Sequence, residues 1–88
     1  MKNEKGIITI TAADIARICG YKKNACGYER EDGDLANAAD FRFVASEFKF
    51  NTNWNSMSFG DAAYNITDEN KNRIANYFAK KYGELYLA

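Results

Sequence analysis

The chain has 88 residues, 47% of them hydrophobic, with twelve basic and twelve acidic side chains and no net charge. That length holds one domain with a thin core, and the apolar share excludes a disordered chain. The charge balance argues against non-specific binding to a phosphate backbone, which favours clustered Lys and Arg.

Met1–Lys5 leads into only a short apolar run, Gly6–Ile10, which lacks the length and cleavage site of a signal peptide. No apolar run is long enough to span a membrane, so the expected location is the cytoplasm. Cys19 and Cys26 then read as reduced thiols acting as small apolar groups. Two cysteines with no histidine in the chain cannot complete a usual structural zinc site. Neither a metal nor an organic cofactor is expected.

Glycine punctuates the chain, which contains no proline. Residues 7–10 are β-branched and predict a short strand. Thr11 predicts a helix N-cap with Asp14 in the positive first turn. The helix runs over 12–19, with Ile15, Ile18 and Cys19 on one face and Gly20 ending it. Residues 21–33 are polar and glycine-rich, and read mostly as loop. A second helical pattern runs over 35–48, although Phe41, Phe43, Phe48 and Phe50 also show local period two, so that 48–53 can finish as a strand. Residues 51–65 alternate turn formers with large apolar side chains. They predict one or two short strands or a structured loop pinned by Trp54, Met57, Phe59 and Tyr64. Thr67 caps a last helix over 68–82, with Asp68 and Glu69 at its start and Lys80 and Lys81 near its end. The tail 84–88 is apolar enough to dock. Together these predict one small α+β domain, 1–88, with about three helices and a minor antiparallel sheet formed by 7–10 and parts of 48–65. Ile8, Ile10, Ile15, Ile18, Val44, Phe48, Ile74 and Phe78 should form its core.

Catalytic chemistry is poorly provided for. Without histidine the commonest general base is missing, and Ser–His or Cys–His nucleophile pairs are ruled out. No glycine-rich phosphate loop is present. Asp32 and Asp34 around Gly33 lack the rest of a calcium-loop pattern. Asn65-Ile66-Thr67 fits a glycosylation acceptor, but its threonine is better explained as a helix cap. The chain is expected not to be an enzyme and to take no small-molecule substrate.

Residues 8–31 resemble the helix-turn-helix opening of MerR-like and excisionase-like winged-helix proteins. A β-branched lead-in precedes a helix carrying Ala16, with Gly20 four residues on; Ile15 and Ile18 give the apolar face, and Tyr28-Glu29-Arg30-Glu31 matches a Tyr-Glu-Arg segment. The resemblance implies a recognition helix containing Cys26 and a DNA-binding regulator whose Lys22, Lys23, Asn24 and Arg30 reach DNA. Gly27 departs from it, because glycine inside a helix costs about 1 kcal/mol. The alternative is an ordinary capped helix ended by glycine.

Charge is also segregated along the chain. Residues 1–28 carry a net +3, residues 29–40 a net −4, and the remainder +1. An acidic segment on a very small domain suits a basic groove on another protein, since such charge speeds encounter. In size and composition alone the chain is similar to small phage or mobile-element inhibitors of host defence, anti-CRISPR proteins among them. The expectation is therefore a non-enzymatic inhibitor that blocks a larger protein or nucleoprotein complex through Tyr28, Glu29, Glu31, Asp32, Asp34, Trp54 and Phe59. A solvated acidic loop, and Trp54 as a core plug, are the plainer alternatives.

Overall fold

Ile8, Phe50 and Met57 form one cross-strand row. In the computed structural model, which describes residues 1–87 and of Leu87 only the backbone, Ile8 pairs with Phe50 and Phe50 with Met57. These three side chains are buried, while Lys49 and Thr9 beside them are exposed. Alternation of this kind fixes register, because a slip of one residue would turn every apolar group toward water. The row belongs to a five-stranded sheet ordered β1 (Lys2–Glu4), β2 (Ile7–Thr9), β6 (Lys49–Asn51), β7 (Ser56–Ser58) and β8 (Tyr86–Leu87). All neighbours are antiparallel except β7 and β8, which run parallel.

Helices α1 (Ala12–Cys19), α2 (Ala38–Glu47) and α3 (Asp68–Tyr82) complete the core with Ile15, Phe41, Val44, Ile74 and Phe78. Phe78 stacks on Phe50 at 4.7 Å and on Phe48 at 5.5 Å between ring centroids. Each such aromatic buries about 150–250 Å², which is how so short a chain builds a core. Helix α1 starts where expected. The Thr11 hydroxyl accepts the Asp14 N–H at 3.1 Å and the Asp14 carboxylate accepts the Thr11 N–H at 3.0 Å, a reciprocal cap. Gly20 ends it with φ +83°, a left-handed conformation that glycine adopts without penalty. The Thr67 hydroxyl caps α3 by accepting the Asn70 N–H at 3.2 Å, with no return bond.

The α+β class is as read from the sequence, and so are the bounds of α1 and α3. Seven of the eight expected core residues are buried; Ile18 is only partly so. Three local readings need correction. Residues 21–33 are not mostly loop: β3 (Tyr21–Asn24) and β4 (Gly27–Arg30) form a hairpin, and β5 (Leu35–Ala36) adds to β4 as a second, three-stranded sheet. The turn is made by Asn24, whose side-chain oxygen accepts the Cys26 N–H at 2.9 Å. Gly27 is required there, since a Cβ would lie 2.7 Å from the Ala36 carbonyl oxygen. The second helix begins at Ala38 rather than 35, because Asn37 caps it and Leu35 is held in β5. Residues 51–65 resolve into β7 and a 3₁₀ helix over Gly60–Asn65. Met57 and Phe59 are buried there as expected, but Trp54 and Tyr64 are exposed and pin nothing. At the tail, Tyr86 and Leu87 dock as β8, and Ala88 lies outside the described residues.

Candidate functional site

The segment richest in charge, 28–34, is organised by a buried cation. Alternation along β4 turns Arg30 inward, and only 8% of it is exposed. Its guanidinium lies 5.1 Å from the centroid of the Tyr21 ring. Nε is 3.3 Å from Asp32 Oδ1, and Nη2 is 3.4 Å from Asp34 Oδ2 and 3.1 Å from Glu69 Oε2. Glu69 is held below the usual carboxylate range by hydrogen bonds from Arg30 and Arg73. Asp32 is lowered first by the Asp34 backbone N–H and then by Arg30. The guanidinium itself is pushed up, first by its hydrogen bond to Glu69.

This arrangement corrects several expected roles. Arg30 is not free to reach DNA. Asp32 and Asp34 each pair with it while staying exposed, so they are not the free charges expected. Lys22 and Lys23 are exposed but occupy successive strand positions, which point to opposite faces; a strand stands where a recognition helix was expected. Asn24 is occupied by its turn and by Glu29, to which it donates at 3.2 Å. Tyr28 is half-buried and stacked on Phe41 at 5.0 Å. Phe59 is 7% exposed and packs edge-on against Phe48 at 5.4 Å, so it is core and not contact surface. Glu29 and Glu31 stay exposed, with no ion pair among the described residues.

Trp54 is 73% exposed, so it is no core plug. Its turn is nevertheless firmly held. The Thr52 N–H and hydroxyl both donate to the Gly6 carbonyl, at 2.8 and 3.0 Å. Asn55 donates to the Tyr82 carbonyl at 3.1 Å and accepts the Tyr86 N–H at 2.8 Å through its own carbonyl. Tyr86, 62% exposed, pairs with Ser56 two residues from Trp54. The residues expected to form one interface are thus not brought together. Arg30 anchors the hairpin at the first turn of α3 through Glu69, whereas Asn55 anchors the Trp54 turn at its last through Tyr82. A helix of 15 residues separates these ends by about 22 Å.

Sequence reasoning missed the exposure of Tyr86 and Tyr64, and also Asn70, a buried amide on α3. Only the helical face shared by Asn70, Ile74 and Phe78 hints that Asn70 points inward. Asn70 and Tyr21 border a cavity of about 140 Å³ between β5, α2 and the start of α3. A wider cleft of about 600 Å³ lies between the 3₁₀ helix and α3; its titratable lining groups, Asp68 and Lys71, pair with each other at 3.8 Å. Among the described residues no three His, Cys, Asp or Glu side chains come together as metal ligands, and no helix is long and apolar enough to cross a membrane. Compared with family models, curated proteins and solved structures, the chain finds no match.

Proposed function

We propose that the chain is a non-enzymatic binding protein that occupies the surface of a larger protein or nucleoprotein complex, an inhibitor or adaptor acting in the cytoplasm. The observation that carries this reading is Trp54, an exposed indole on a turn fixed at both ends. A large apolar group left in water costs stability, while aromatic anchors supply much of the energy of protein interfaces. Pre-ordering the turn spares the entropy that a mobile loop would lose on binding. Tyr86, also exposed, sits on the strand that pairs with Ser56, two residues on from Trp54. Glu29 and Glu31 at the other end of the molecule favour encounter with a basic partner. The similarity in size and composition alone to small phage-encoded inhibitors fits a protein that works by occupying a surface, and the lack of histidine removes the commonest catalytic base.

The test is affinity capture from lysate of the cell in which the chain is made, with and without nuclease, comparing wild type with Trp54→Ala and with Glu29→Gln/Glu31→Gln. A protein partner kept after nuclease and lost with Trp54→Ala supports the reading. A partner that disappears with nuclease supports DNA binding instead. Equal capture by wild type and Trp54→Ala overturns the aromatic patch as the contact.

A further inference from the structure

We infer that two copies of the chain pair across a two-fold axis, the Tyr64 side chain of each entering the cleft between the 3₁₀ helix and α3 of the other. A 3₁₀ helix has three residues per turn, so residues three apart share a side. Over Gly60–Asn65 this makes three sides. Ala62 is fully buried and Asn65 donates to Asp40, so one side faces α2 and the core. Gly60 and Ala63 line the cleft of about 600 Å³. Asp61 and Tyr64 face solvent, and Tyr64 is 99% exposed, so its ring meets almost nothing of its own chain.

The cleft suits such a ring. Ala63 and Ala75, both part-exposed, line its two walls, with Met57 and Phe59 beneath. A buried phenol hydroxyl needs a hydrogen-bond partner, and Ser58 and Asn72 at the same cleft offer both donors and acceptors. Charge points the same way. Asp61, on the side of Tyr64, has no ion pair among the described residues, and Lys71 at the cleft pairs only with Asp68, at 3.8 Å. As Tyr64 enters, Asp61 of one copy approaches Lys71 of the other. Knob and hole, and the two opposite charges, thus lie on one surface. A two-fold pair joins each half of the contact to its complement twice over, whereas an unrelated partner would use only one half. With no net charge, the copies do not repel each other at long range. Each tyrosine removes about 150–250 Å² from water, so two rings and two cleft walls together bury roughly 600–1,000 Å². That falls short of the roughly 1,200–2,000 Å² of a stable complex, and the pair therefore forms and parts between micromolar and millimolar concentration.

Sedimentation equilibrium of the intact, purified chain from micromolar to millimolar concentration tests this. The mass should rise from 10.0 kDa toward twice that value and stop there, because an isologous contact closes at two copies. Tyr64→Ala should weaken the pair about tenfold or more, and since Tyr64 lies outside the core the variant folds. Asp61→Lys and Lys71→Glu should each weaken it about threefold, and the two together in one chain should restore it. That restoration is a result that damage to the fold cannot imitate. A mass of 10.0 kDa throughout, growth past the dimer, or a dimer that Tyr64→Ala leaves unchanged overturns the inference. Neither Trp54 nor a cellular partner enters this experiment, so its failure leaves the Trp54 reading intact, and failure of the capture experiment leaves the pair standing.

Discussion

Arg30 Nη2 lies 3.1 Å from Glu69 Oε2, and this contact ties the β3–β4 hairpin to the first turn of α3. Those segments are 39 residues apart in sequence. The hairpin buries little apolar area of its own beyond Tyr21 and the flank of Tyr28, so the guanidinium is a large part of its attachment.

Replacing Arg30 with alanine should therefore cost about 2 kcal/mol, the weight of a charge-assisted hydrogen bond and the lost stacking on Tyr21. Arg30→Lys should recover less than half, because an ammonium cannot reach Asp32, Asp34 and Glu69 together as a planar fork does. Urea unfolding measures both. An Arg30→Ala midpoint equal to that of wild type would show that the network contributes nothing.

The same residue shows why part of the molecule was legible in sequence and part was not. Helices α1 and α3 carry their own punctuation, Thr11 with Asp14 and Gly20, and Thr67 with Asp68, and their apolar spacing is helical, so their bounds follow from local chemistry. The 21–36 region carries no such mark. Tyr21, Tyr28 and Arg30 are held by Phe41, Asn70 and Glu69, partners supplied from α2 and α3. Its acidic residues looked like free charge because the cation that compensates them sits among them and is buried by the fold. Asn70 was nearly as hard to read: its place on the face of Ile74 and Phe78 hints that it points inward, but its partner Tyr21 lies 49 residues away.

Acid should destabilise the chain through Asp14. Burial alone would raise this carboxyl, but hydrogen bonds from the Thr11 N–H, Arg17, the terminal ammonium and the Thr11 hydroxyl together bring it down to about 2. A carboxyl lowered by folding contributes stability above its unfolded value, near 4. That contribution is lost as pH falls from about 4 toward 2. Asp14→Asn should cost about 1–2 kcal/mol at neutral pH, in the range for loss of a cap, and almost nothing at pH near 2. Parallel stability curves for the two proteins over this range would contradict the assignment.

The two thiols should differ sharply. Cys26 is exposed on the hairpin turn, whereas Cys19 is fully buried, and burial pushes its thiol up to about 11. Since the thiolate is the reactive form, an alkylating reagent should modify Cys26 at once and Cys19 only on opening of the fold. Mass spectrometry should show one adduct in buffer and two in denaturant. The second modification should accelerate with added urea, as expected for a site reached by global unfolding. Rapid double labelling of the native chain would be incompatible with the packing of α1.

Trp54 gives the most direct check of the proposed surface, because it is the only tryptophan. At 73% exposure its emission should resemble that of indole in water, and acrylamide should quench it efficiently. Trp54→Ala removes few packed contacts, so stability should change by no more than about 0.5 kcal/mol, as for surface sites without special roles. Phe78→Ala, by contrast, should cost about 3–5 kcal/mol, because it empties the centre of the aromatic stack on Phe48 and Phe50. The contrast separates a residue the fold does not need from one that it does. When a captured partner is added back to wild type, the emission should shift to the blue and lose its quenching, since an anchor leaves water as its pocket closes. A partner that binds with the indole still fully quenchable would place the contact elsewhere on the molecule, with Glu29 and Glu31 the next residues to substitute.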